Sequence, residues 1–172
     1  MGEKIVLTQE EDVAIITLDA PERLNALTRA DYRAITEAVE SAEQRGAKCL
    51  VLEGAGDAFT SGGDTGGMED HAAEGVDVEA EVDKMHEAEH ATMEALTSFP
   101  RPVITKVDGL AISDGVGFAL ASDMAYASDR STFRLTHAAF NLSLDLGLSY
   151  LLPQALGKGK AMEVALLCDE LS

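Results

Sequence analysis

Two short apolar runs decide what this chain can build. "KCLVLEG" (48–54) and "PVITKVDG" (102–109) each end on glycine, and each is too short for a helix but the right length for a buried strand. Helical stretches stand beside them. "TRADYRAITEAVESAEQRG" (28–46) places Tyr32, Ile35, Ala38 and Val39 on one face, with Thr28 as N-cap, Asp31 at the reciprocal capping position and Gly46 as the stop. Buried strands alternating with amphipathic helices require crossover connections, and so a mainly parallel sheet covered by helices: an α/β fold.

The remaining segments fit that frame. "KIVLTQEEDVAIITLD" reads as two strands around a polar turn at 9–12, and "APERLNAL" as a loop. Residues 69–84 are acidic, with few large apolar groups, and read as a surface segment running into a helix that continues over 85–96 until Pro100 and Pro102 end it. "GVGFALAS" reads as a short helix, "MAYAS" and "TFRL" as strands, and "LSYLLPQALGKGKAMEVALL" as a helix in two pieces. A chain of 172 residues with 46% hydrophobic composition supports one domain, 1–172, with a full core.

The net charge is −18, from 31 acidic and 13 basic residues, which argues against nucleic acid or an anionic membrane as partner. The acids are dispersed, a pattern suited to a salt-rich cytoplasm, and the expectation is a halophile. No apolar run reaches the roughly 18 residues of a membrane span, and the N-terminus lacks the apolar core of a signal peptide, so the chain reads as cytoplasmic. Cys49 and Cys168 stand in separate apolar runs and read as buried thiols.

"HEAEH" (86–90) matches the helical zinc motif H-E-x-x-H. A zinc site also needs a third ligand and a shaped cavity. His71 and His137 are candidates for the ligand, but no spacing places either of them. Glu87, Glu89 and Glu94, with Asp83 and Lys84, make the segment read as a solvated helix edge, so no metal is expected.

Two segments carry more chemistry. "AFTSGGDTGGM" (58–68) and "VDGLAISDGVGFALASDMAYAS" (107–128) each read as a strand, a turn with glycines and a helix start. Such turns aim backbone N–H groups inward, where a helix start favours negative charge, and two of them together would make an oxyanion hole. Neither has the spacing of a nucleotide-binding loop. Two ordinary strand-to-helix turns remain the competing reading.

The chain resembles the crotonase (enoyl-CoA hydratase/isomerase) superfamily over essentially its whole length. "LDAPERLNALT" resembles the family's opening motif through Pro21, Asn25, Ala26 and Leu27; "DAFTSGGD" its first oxyanion segment; "RPVITKVDGLAI" with "ASDMAYAS" its second; and "GKGKAMEVALLCDELS" the segment that closes the core. The resemblance implies a ββα spiral, trimers or hexamers, and acyl-CoA thioesters as ligands, with coenzyme A as part of the substrate and no separate cofactor. It implies oxyanion donors at the N–H groups of Gly63 and Asp114. For coenzyme A and the acyl group it implies Arg23, the backbone near Leu24 and Ala26, and Ser61 and Asp64. The family's helical C-terminal segment beyond "DELS" is missing from this sequence.

The sequence also departs from the pattern. Asp114 replaces a glycine, and at a helix start its carboxylate is expected to cap. The positions of the two hydratase glutamates hold Gly117 and His137, so hydration by paired carboxylates is in doubt. Asp145, in "LSLDLGLSY", remains at the acyl side, where isomerase-type members use an aspartate to move protons. Its spacing also resembles the nucleophile of 4-chlorobenzoyl-CoA dehalogenase, in which case His90 matches the water-activating base. His137 is either the partner of Asp145 or a satisfied buried histidine. A non-catalytic acyl-CoA-binding protein is the reading from a different class.

Overall fold

The structure is a computed structural model and describes residues 4–64 and 77–172, the side chain of Val78 excepted. Strands β1 (Ile5–Glu10) and β2 (Val13–Leu18) form the expected hairpin, paired antiparallel from Ile5–Leu18 to Glu10–Val13. A short 3-10 turn, Pro21–Arg23, leads to α1 (Arg29–Gln44). Both arms of the capping box form: the Thr28 side chain accepts from Asp31 N, and the Asp31 side chain accepts from Thr28 N. β3 (Cys49–Gly54), β4 (Ala58–Thr60) and α2 (Val78–Ser98) follow. Then come β5 (Val103–Val107), β6 (Leu110–Ile112), α3 (Asp114–Ala121), β7 (Met124–Ala127) and β8 (Thr132–Arg134). A 3-10 turn, His137–Phe140, precedes α4 (Leu148–Leu167), whose two expected pieces meet at a kink at Gly157.

Among the described residues, the strands form two sheets where the sequence pattern suggested one. The larger has the order β1-β2-β3-β5-β7, parallel from β2 onward, and the smaller has β4-β6-β8, all parallel. After the β1–β2 hairpin, each of the pairs β3–β4, β5–β6 and β7–β8 contributes one strand to each sheet, which is the strand–strand–helix spiral that the crotonase resemblance implied. The strand read in "VITKVDG" is β5, a second strand, β6, follows it directly in "LAI", and "TFRL" belongs to the second sheet. Gly109 makes the corner between β5 and β6. Its φ is +82°, and a Cβ there would lie 2.0 Å from the Asp57 carbonyl oxygen, so a residue with a side chain does not fit.

The main core joins Ile16, Leu18, Leu50, Leu52 and Val103 of the large sheet to Tyr32, Ile35 and Val39 of α1 and to Ala88 and Leu96 of α2. A smaller cluster packs Val116 and Leu135 against Leu148, Leu152 and Val164 of α4. Cys168 is buried and Cys49 half-buried, both as free thiols. No helix among the described residues is long and apolar enough to cross a membrane.

Candidate active site

Asn25 builds the first wall of the site. It is buried, its Oδ1 accepts from Ala20 N, and its Nδ2 reaches the carbonyl oxygens of Ala55, Ala58 and Phe59 at 2.8–3.1 Å. Those bonds fold residues 20–27 against β4. Ser61 N then donates to Leu24 O, Leu27 N to Gly62 O, and Asp64 N to Leu27 O, so the strip 24–27 runs beside the turn 61–64. All the residues expected to meet coenzyme A lie on this wall. Leu24 is exposed, and Arg23, Ala26, Ser61, Gly63 and Asp64 are half-buried. The Arg23 guanidinium is bound by Asp31 at 2.5 Å and lies 3.6 Å from Asp64, so an incoming phosphate would compete with two carboxylates. The helix expected after Asp64 and His71 both fall in 65–76, outside the described residues.

The second wall is the turn from β6 into α3. The two turns meet: a Cβ on Gly62 would lie 3.2 Å from Ile112 O, and one on Gly63 would lie 3.5 Å from Asp114 Oδ2. Ser113, at φ 46°, is the N-cap residue, and Asp114 is the first residue of the helix. The Asp114 carboxylate does not act as the expected cap. It is buried and accepts a hydrogen bond from the hydroxyl of Tyr32, which α1 points inward. Burial pushes the Asp114 carboxyl up to about 7, against the Tyr32 bond that lowers it and with help from the Asp145 charge.

Asp145 sits opposite, in the loop before α4. His137 Nε2 is 2.9 Å from Asp145 Oδ1, which selects the partner reading for this histidine. His137 is 5% exposed, and its Nδ1 has no hydrogen-bond partner among the described residues. Burial pulls the imidazole pKa down, but the bond and charge of Asp145, with the charge of Asp114, carry it above its ordinary value.

Helix α2 supplies two groups that the sequence reading set aside. Glu89, expected in solvent, is 5% exposed, and burial with the charges of Asp114 and Asp145 pushes its carboxyl up to about 8. His86 is half-buried, and one ligand atom each from His86, Glu89 and Asp145 lie within 4.8 Å of one another. His90, the base in the dehalogenase-like alternative, is exposed, with its ring stacked 6.4 Å from that of His86. The physical reason is helical phase. Ala88, Glu89, Thr92 and Leu96 are the buried residues among the described side chains of α2 and share an arc of about 100°, and His90, about 100° further round from Glu89, falls outside that arc. A count of the apolar stripe over 85–96 would have found Glu89. The Tyr32–Asp114 bond had no local signal beyond the need of a buried tyrosine hydroxyl for a partner.

The family model described as enoyl-CoA hydratase/isomerase matches residues 8–172. The chain belongs to the enoyl-CoA hydratase/isomerase family. A Rhodobacter capsulatus protein named "Probable enoyl-CoA hydratase" is 36% identical over 161 residues, 94% of this chain and 60% of that one. The 1,2-epoxyphenylacetyl-CoA isomerase of Escherichia coli K12 is 31% identical over 174 residues, 100% of this chain and 65% of its own length. Among solved structures, an enoyl-CoA hydratase from Polaromonas sp. JS666 superposes with a TM-score of 0.88 at 31% identity, covering 98% of this chain and 65% of that one. The chain thus spans about three fifths to two thirds of the length of these family members. The fold expected from the crotonase resemblance stands.

Proposed function

We propose that the chain is an acyl-CoA enzyme that moves a proton between carbons near the thioester, shifting a double bond, with Asp145 as the proton carrier. The observation that carries this reading is the 2.9 Å contact of His137 Nε2 with Asp145 Oδ1. A carboxylate held in one orientation by a buried imidazole is suited to take a proton on one face of a substrate and return it at a neighbouring carbon. The N–H groups of Gly63 and Asp114 would hold the thioester oxygen as negative charge develops on it. The apposed turns support this placement, since they bring Gly63 beside Asp114.

Hydration needs two carboxylates around one water. Gly117 offers no side chain, and a Cβ there would meet the Leu146 Cβ at 3.2 Å, a tight contact, so one of the two carboxylates is missing from that place. The hydrolytic alternative, in which Asp145 attacks and His90 activates water, has little geometric support because His90 is exposed. Proton transfer by side chains needs no separate cofactor, and coenzyme A enters as part of the substrate. A trimer or hexamer is part of the proposal, supported by the exposed apolar residues Tyr150, Leu156, Met162 and Leu166 on α4. A salt-rich cytoplasm is supported by the dispersed acidic charge.

The test is turnover on a panel of enoyl-, hydroxyacyl- and haloaroyl-CoA thioesters. Positional isomerisation of an enoyl-CoA is expected, and water addition or halide release is not. Binding of coenzyme A without turnover of any of them would establish the binding-protein reading instead.

A further inference from the structure

The "HEAEH" segment holds a feature that the proposed reaction does not use. Its inward pair is His86 with Glu89, one helical turn apart on the same face, and Asp145 meets them from the loop before α4. We propose that His86, Glu89 and Asp145 form a binding site for a divalent transition-metal ion of the zinc class. The donor set, one imidazole and two carboxylates, is a zinc set that leaves a fourth position open. The three atoms lie within 4.8 Å of one another. Bonds of about 2.0–2.1 Å to a tetrahedral ion place ligands about 3.3 Å apart, so modest side-chain rotation closes the site.

Two independent observations point to a cation. Glu89 is 5% exposed and its Oε2 has no hydrogen-bond partner among the described residues. A buried carboxylate oxygen left so is costly, and a metal ion satisfies it directly. Asp145 is held by His137 at 2.9 Å, a supporting contact of the kind that metal-bound carboxylates receive.

The competing site on the same helix is the exposed pair His86 and His90, with ring centroids 6.4 Å apart. It shares His86 but needs neither carboxylate. A bound ion at the proposed site would also occupy Asp145 and stop turnover. That consequence rests on the proposed function; the binding does not.

The test is calorimetric titration of chelator-treated protein with zinc chloride, in the absence of substrate, with cobalt(II) absorption reporting coordination. One ion per chain is expected. Glu89→Gln, which keeps the side-chain shape, and His86→Ala should each weaken binding at least about 10-fold, and His90→Ala should leave it unchanged. Far-UV circular dichroism and melting of the metal-free variants show that they are folded. Absence of saturable binding overturns the proposal. So does binding that survives Glu89→Gln but is lost in His90→Ala, or binding indifferent to both His86→Ala and Glu89→Gln. No substrate is present, so failure of the isomerase reading leaves this result untouched.

Discussion

The hydroxyl of Tyr32, on α1, donates to the carboxylate of Asp114, the first residue of α3. This bond ties the helix beside the large sheet to the turn that faces Gly63. Tyr32→Phe removes the donor and leaves the buried carboxylate less satisfied. The expected cost is about 1–3 kcal/mol in urea unfolding. The Asp114 carboxyl should also move further up, because the Tyr32 bond lowers it. An unchanged unfolding midpoint would show that the bond contributes nothing.

Glu89 and Asp114 hold their protons more tightly folded than unfolded, with carboxyls at about 8 and about 7. Between the ordinary carboxylate value of about 4 and those values, the unfolded chain has released protons that the folded chain keeps. Their contribution to stability is therefore complete at acid pH and lost as pH rises through that window. His137, also raised, acts in the same direction. Asp31 and Asp108 are lowered, and their contribution is lost on the acid side. Melting temperature should fall between about pH 5 and 8, and Glu89→Gln should flatten that fall. Parallel pH profiles of the two proteins would refute the assignment to Glu89.

Asn25→Ala leaves Ala20 N and the carbonyl oxygens of Ala55, Ala58 and Phe59 without their shared partner. The expected loss is about 3 kcal/mol or more, measured by denaturant unfolding. Hydrogen exchange should rise at the amides of Ser61, Leu27 and Asp64, whose bonds hold the strip to the turn. A loss below 1 kcal/mol would mean that water replaces the side chain at little cost.

Asp145→Asn should lower turnover of an enoyl-CoA substrate by about 100-fold or more with little change in KM, the pattern of a lost proton carrier. His137→Gln should lower it less and shift the pH profile, because its role is to position Asp145. His90→Ala should be neutral, and a large loss there would restore the hydrolytic reading. The readout is the kcat and KM of each variant on the same thioester.

Local chemistry was legible where it closes within a few residues. Thr28 and Asp31 announce the start of α1 by spacing alone, and both capping bonds are present. The two glycine-bearing turns were legible as strand-to-helix turns, the crotonase resemblance picked out Gly63 and Asp114 within them, and the two turns do meet. Long-range choices were not legible. Nothing near Gly109 says that the strands on either side of it enter different sheets; that follows from the close approach of Asp57, a residue from another turn of the spiral. Charge density misplaced Glu89, because α2 packs with the phase its apolar residues demand and takes the carboxylate inside with them.

By itself, then, the sequence determined the α/β alternation, the cap of α1, the family and the residues of the two turns. These depend on periodicity, on spacing within one element and on motif order. Only the tertiary structure decided that Tyr32 bonds Asp114, that His137 partners Asp145, and that Glu89 rather than His90 faces them. Each of those depends on how separate elements are rotated against one another, and that rotation is set by burying the whole apolar surface at once.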